Sequence, residues 1–194
     1  MNTNSPRAQT PSYVISILAL CSGTFAFLCL VVLIFANVFL NSKAVLVHRA
    51  ASLQAMKRYG DAEPLLVAAV KQSPRDAEVA NNLAWTYYLD GKYSEGEPHA
   101  LHSVTLARRY YNLDTLAHIE LGLKHYDAAV RDFKAALTLQ PNNTYSLDGL
   151  GQAYEGRGQP DKALAEYRKA MQNGPGVEGT RERMTSVERR LKLH

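Results

Sequence analysis

Cysteine is nearly absent from this chain of 194 residues, and both copies, Cys21 and Cys29, lie inside one apolar run. The rest of the sequence therefore has no disulfide framework and no cysteine-based metal site. No stripe dense in Lys and Arg with interleaved aromatics occurs, so a net charge of +4 does not point to nucleic acid. No Gly-rich phosphate loop follows a strand, and no strand pattern is evident. Catalytic constellations are missing as well. His99 and His102 stand three apart, but a metal site needs a third ligand and supporting hydrogen bonds, so they read as surface histidines. His118 and His125 are seven apart, with the second near a turn. Asn142-Asn143-Thr144 matches a glycosylation sequon that matters only in a eukaryotic lumen. These absences imply no enzyme activity, no cofactor and no metal.

Charge is also missing from Ala8 through Ser42. Residues 1–12 are polar, carry two prolines and read as a disordered tail. The run Tyr13–Leu40 is almost wholly apolar. As a helix it would extend about 42 Å, where about 20 residues suffice to cross a bilayer. A signal peptide has a shorter apolar core, a more basic start and a small-x-small cleavage site. Only Arg7 precedes this run, so it reads as a retained single transmembrane helix over 13–40. Lys43, Arg49, Lys57 and Arg58 follow it, which favours a repeat domain on the cytoplasmic side. A short positive N-terminus held inside would place that domain in a periplasm or lumen instead. Ala19, Gly23 and Ala26 form a small-residue stripe suited to helix packing, hence to a homo-oligomer or to pairing with another membrane protein.

What is present is a period. Leu147, Leu150, Gly151, Tyr154, Gly158, Ala163, Tyr167, Ala170 and Pro175 recur 34 residues from Leu113, Leu116, Ala117, Glu120, Lys124, Ala129, Phe133, Ala136 and Pro141. A fixed period of this length marks stacked repeats. The internal spacings of three and four put these residues on one helical stripe. Each unit thus reads as two helices joined by a turn, with units at 43–76, 77–109, 110–143 and 144–177. Small residues on the second helix let it approach the first, and one aromatic fills the space between units. The expected fold is all-α: an N-terminal transmembrane helix, an α-solenoid over 43–177 and a C-terminal capping helix over 178–194.

This pattern resembles the tetratricopeptide repeat family, in which a large apolar residue, Leu-Gly or Leu-Ala, Tyr, Gly, Ala, an aromatic, Ala and a closing Pro recur. The fourth unit, LDGLGQAYEGRGQPDKALAEYRKAM, matches nearly throughout, and YDAAVRDFKAALTLQP matches the second helix of the third. Departures are concentrated earlier. Unit two has Gly96 in place of Ala, Ala100 in place of the aromatic, Arg108 in place of Pro, and is one residue short. Pro64 and Pro98 sit early in the second helices of units one and two, so those helices are expected to start late or bend. Glu120 takes the place of a packed aromatic and reads first as a snorkelling surface residue, with a buried acid that has a partner as the alternative. Thr180 is the expected cap of the last helix, whose basic residues Arg181, Arg183, Arg189, Arg190 and Lys192 are diluted by Glu178, Glu182 and Glu188.

The resemblance implies a concave groove lined by first-helix residues outside the core. Those positions here are Asn81, Trp85 and Tyr88, then Tyr111, Asp114 and His118, then Tyr145, Asp148 and Gln152. Tyr111 and Tyr145 are one period apart, as are Asp114 and Asp148. Paired aromatics supply interface area at low entropic cost, and two carboxylates in a row favour a basic or amide-rich peptide. The basic residues with which some family members clamp a terminal carboxylate are missing, which speaks against an acidic chaperone tail. The expectation is a membrane-anchored scaffold or assembly factor that docks a protein or peptide partner. An alternative is a periplasm-facing accessory factor in the maturation of secreted or cofactor-bearing proteins. An enzyme subunit is the third, weaker alternative.

Overall fold

The computed structural model describes residues 27–28, 30–34, 38, 41–174 and 177–193. It divides into two units, Met1–Val45 and Leu46–His194. In the first, residues 27–28, 30–34 and 38 are helical. Among the described residues no helix is long and apolar enough to cross a membrane. Most of the expected span 13–40 lies outside the described residues, as do Ala19, Gly23, Ala26 and the tail 1–12.

The second unit is a run of antiparallel helix pairs. The first pair is α1 (Lys43–Ala55) and α2 (Tyr59–Gln72). Then follow α3 (Ala77–Leu89) with α4 (Tyr93–Leu106), α5 (Tyr110–Gly122) with α6 (Tyr126–Leu139), and α7 (Thr144–Gly156) with α8 (Pro160–Asn173). A last helix, α9 (Thr180–Lys192), packs on α8. Each helix also touches the one after it across the pair boundary from α2 onward, and first helices touch one another from α3 to α5 to α7. This is the stacking of an α-solenoid.

The turn inside each pair has one chemistry. Residues 57, 91, 124 and 158 all adopt positive φ, as Lys57 (58°), Gly91 (74°), Lys124 (62°) and Gly158 (68°). The next amide bonds back five residues each time: Arg58 to Leu53, Lys92 to Tyr87, His125 to Glu120 and Gln159 to Tyr154, at 2.8–2.9 Å. A left-handed residue followed by this long-range bond closes the orphan carbonyls of a helix end. Glycine takes that conformation without strain, so the two lysines hold it only because their surroundings fix it.

Packing between the helices follows the small–aromatic alternation. Ala62, Ala129 and Ala163 are fully buried, as are Ala69, Ala136 and Ala170 two helical turns on. Phe133 and Tyr167 fill the spaces between neighbouring first helices, also with zero exposure. The Tyr167 ring lies directly on Gly151, so that glycine is required by close approach. Unit two packs differently. Ala100 is too small to fill its slot, and Ile119 comes in from α5 to cluster with Ala84, Ala100 and Leu116. A Cβ on Gly96 would stand 3.1 Å from Ile119, so the two departures from the pattern compensate each other.

Several expectations are corrected. The helices holding Pro64 and Pro98 start at Tyr59 and Tyr93, the same place as α6, so neither starts late. Both prolines fall in the second turn. There the ring only removes one hydrogen bond, from a helix already held by the neighbouring pair. Glu120 does not snorkel: it is 5% exposed and faces Arg131 at 3.5 Å. Its side chain is too short to reach water from the position of a core aromatic. Thr180 is the first residue of α9, not its cap; the cap is Gly179 at φ 82°. The Thr180 hydroxyl instead donates to Asp148 at 2.8 Å.

Candidate partner-binding groove

The expected groove positions all lie on first helices, α3, α5 and α7. α3 contributes Trp85 and Tyr88, whose rings stack with centroids 4.8 Å apart. From α5, His118 meets both edge-on, at 6.1 Å to Trp85 and 5.3 Å to Tyr88, and meets Phe133 at 4.8 Å. An imidazole with three aromatic neighbours is held rigidly. Its Nδ1 lies 2.9 Å from the Asp114 carbonyl oxygen and 3.4 Å from the Asp114 carboxylate. Burial pushes the His118 pKa down, but the charge and hydrogen bonds of Asp114 outweigh it, and the net shift is upward.

The two aspartates are not free. Asp114 accepts a hydrogen bond from the Ser146 hydroxyl of the next first helix. Asp148 is 2% exposed. It accepts from Thr180 Oγ1 at 2.8 Å, from Arg183 Nη2 at 2.7 and 2.8 Å, and from Gln152 Nε2 at 2.7 Å. Ser146 and Thr180 occupy the same position of successive helices, 34 residues apart. The hydroxyl-to-aspartate bond is therefore a repeated stitch between one first helix and the next, and α9 stands where a fifth first helix would.

The other expected positions divide. Tyr145 is 57% exposed. Tyr111 is half-buried, edge-on to Tyr110 at 5.4 Å. Asn81 is buried, with its Oδ1 lacking a hydrogen-bond partner among the described residues. Tyr88, His118 and Gln152 border one open cavity of about 440 Å³, to which Tyr93, Tyr126 and Arg183 also contribute. These last three were not anticipated from the sequence. Tyr93 and Tyr126 open the second helices of successive units, and their rings lie against Gly122 and Gly156 of the next first helix, where a Cβ would clash. A Tyr paired with a Gly almost a repeat later, found twice, was the signal available in the sequence. Arg183 was visible only as part of a basic cluster. Of that cluster, Arg183 pairs with Asp148 and Arg190 with Glu155, while Glu188 pairs with Arg168 of α8 at 2.7 Å.

The expected histidine pair does not form a site. His99 stacks on Tyr87 at 5.7 Å, and His102 bonds the Pro74 carbonyl oxygen at 2.8 Å. Among the described residues no group of three His, Cys, Asp or Glu side chains is placed to hold a metal ion.

A family model described as tetratricopeptide repeat matches residues 49–101 and 115–178. The chain belongs to the tetratricopeptide repeat family. Tetratricopeptide repeat proteins are interaction scaffolds that bind protein partners, and this chain shares their solenoid. It is similar to Hsp70-Hsp90 organizing protein 1 of Glycine max, at 28% identity over 125 residues. That match takes in 60% of this chain and 22% of the soybean protein, so the chain spans about a fifth of that relative's length. Among solved structures, it resembles a thermophilic tetratricopeptide protein of Thermus thermophilus, with a TM-score of 0.69 at 20% identity over 77% of this chain and 83% of that one. MamA of Desulfovibrio magneticus RS-1 superposes with a TM-score of 0.67 at 16% identity, covering 77% and 85%. MamA of MSR-1 gives 0.59 at 23%, covering 68% and 76%. At these identities the structural likeness is one of fold.

Proposed function

We propose that this chain is a membrane-anchored scaffold or assembly factor that docks a segment of a partner protein in its concave groove, with no bond chemistry of its own. The observation carrying this reading is that Tyr88, His118 and Gln152, from three successive first helices, border one open cavity. The helix pairs are assigned as four repeat units, 43–76, 77–109, 110–143 and 144–177. The uncharged run from Ala8 to Ser42 supports the anchor. Tethering would raise the local concentration of the partner near a membrane complex.

The soybean relative bears the names of Hsp70 and Hsp90. A chaperone tail is not proposed as the partner here. The nine groove positions of units two to four carry no Lys or Arg to receive an acidic terminus, and Arg183 at the cavity is taken by Asp148. The decisive experiment is capture of native partners from membranes by the full chain and by Trp85→Ala/Tyr145→Ala. Loss of capture with unchanged helical content is expected, and unchanged capture would remove the groove assignment. Protease accessibility in intact cells decides which side the repeats face. Repeats on the periplasmic side would favour a role in maturing secreted or cofactor-bearing proteins.

A further inference from the structure

We propose that the groove is built for an uncharged, proline-containing segment in the polyproline II conformation, with every third residue resting on a tyrosine. This rests on the groove being the docking site.

Charge supplies the first argument. The carboxylates bordering the groove are occupied by the chain itself: Asp114 by Ser146 and His118, Asp148 by Thr180 and Arg183, and Glu155 by Arg190 and the Tyr167 hydroxyl. Arg183 is in turn committed to Asp148 through both carboxylate oxygens. A Lys or Arg from a partner would have to expel that guanidinium from a carboxylate that is 3% exposed. An acidic segment would meet Glu155, the carboxylate among the lining residues, and would compete with it for Arg190. Of the charged residues lining the cavity, only Lys124 has no ion pair among the described residues, and it sits at the turn. A segment without charge disturbs none of these pairs.

Spacing supplies the second. The Tyr93 ring on Gly122 and the Tyr126 ring on Gly156 form two ledges contributed by successive repeats. Gly122 and Gly156 end the first helices α5 and α7, which touch; packed helices stand about 8–10 Å apart, so the ledges are spaced by about that distance. One turn of polyproline II, three residues at about 3.1 Å, rises about 9.3 Å. An extended strand repeats its side chains every two residues, at about 6.6 Å, and falls out of step. An α-helix about 10 Å across would fill a cavity of about 440 Å³ within roughly one turn.

Hydrogen bonding supplies the third. Polyproline II leaves its carbonyl oxygens free, and proline has no N–H to satisfy. Tyr88, Tyr93 and Tyr126 offer hydroxyl donors around the cavity. Aromatic-lined grooves are a known complement to this conformation.

The test uses the full chain in mild detergent and the emission of Trp85, the sole tryptophan, which stacks on the lining residue Tyr88. Four capped peptides, each of four triplets, are titrated: Pro-Pro-Leu, Pro-Pro-Lys, Pro-Pro-Glu and Gly-Gly-Leu. Saturable binding of Pro-Pro-Leu is expected, at least tenfold tighter than any of the others. Tyr93→Phe/Tyr126→Phe keeps both rings on their glycines and should weaken it severalfold, and Tyr126→Leu should weaken it at least tenfold. Circular dichroism confirms that each variant is folded. Equal or tighter binding of a charged peptide or of Gly-Gly-Leu overturns the inference, as does the failure of all four to change Trp85. A charged peptide whose binding is lost in Tyr126→Leu, which keeps Trp85, would leave groove docking standing. Docking itself falls only if Trp85→Ala/Tyr145→Ala also leaves partner capture from membranes unchanged.

Discussion

Raising the pH through neutrality should destabilise the repeat domain, chiefly through Glu120. This carboxyl takes the place of a packed aromatic, is 5% exposed, and has a buried Oε2 with no hydrogen-bond partner among the described residues. Burial first, and then the charge of Asp132, push its pKa up from 4.5 to about 8, with Arg131 opposing. The unfolded chain releases this proton near pH 4.5, whereas the folded chain keeps it until about pH 8. Between those values the folded state binds the extra proton, so stability is greatest on the acid side and falls as pH rises through the window. At about 1.4 kcal/mol per pH unit the ceiling is roughly 5 kcal/mol. Water penetration and the exposed Arg131 screen the site, so about 2 kcal/mol is the working figure. For a domain of this size that corresponds to a drop in Tm of about 4–8 °C between about pH 5.5 and 8.5. Thermal melts followed by circular dichroism measure it. The upward-shifted His118 adds a loss of the same sign, so the comparison that isolates Glu120 is the same pH series on Glu120→Gln. That variant should lose most of the slope. An identical slope in both proteins, or a wild type that gains stability at high pH, would refute the assignment.

Other perturbations follow from packing. Gly156→Ala places a methyl inside the Tyr126 ring and should cost about 1–3 kcal/mol in urea unfolding. Arg183→Ala leaves Asp148 buried with only Thr180 and Gln152 as partners and should cost about 3 kcal/mol. Hydrogen exchange should show α9 as the first segment to open in that variant. Phe133→Ala empties a fully buried slot between α6 and α7 and should cost about 3–5 kcal/mol. Gly91→Ala strains a residue at φ 74° that contacts nothing, and about 1 kcal/mol is expected, read as a lower Tm.

The stripe of core residues was legible because it obeys a local rule. Ala129, Phe133 and Ala136, or Ala163, Tyr167 and Ala170, declare their burial through helical spacing and a period of 34. Glu120 was misread because periodicity gives position, not partner. A glutamate on a core stripe is consistent with snorkelling until Arg131 and Asp132 are seen beside it. The late start expected at Pro64 and Pro98 failed for a related reason: local propensity penalises a proline there, and contacts from the adjacent pairs override it. Asp114 and Asp148 share one helical stripe, yet Ser146, Thr180 and Arg183, which hold them across helices, stand 32 to 35 residues away. No local rule reports such contacts.

By itself the sequence determined that this is a helical repeat, which helices pair, and which stripe of each is buried. Those features depend on spacings of three, four and 34 residues, which a linear pattern records. The tertiary structure alone decided the chemistry of the groove. It put α9 in the place of a fifth first helix and brought Arg183 onto Asp148. It laid Tyr93 and Tyr126 over Gly122 and Gly156. Charge neutralisation and ring-on-backbone contact are distances in space, and so a pair of carboxylates that reads as a site for cations is, once folded, already held by Ser146, Thr180 and Arg183.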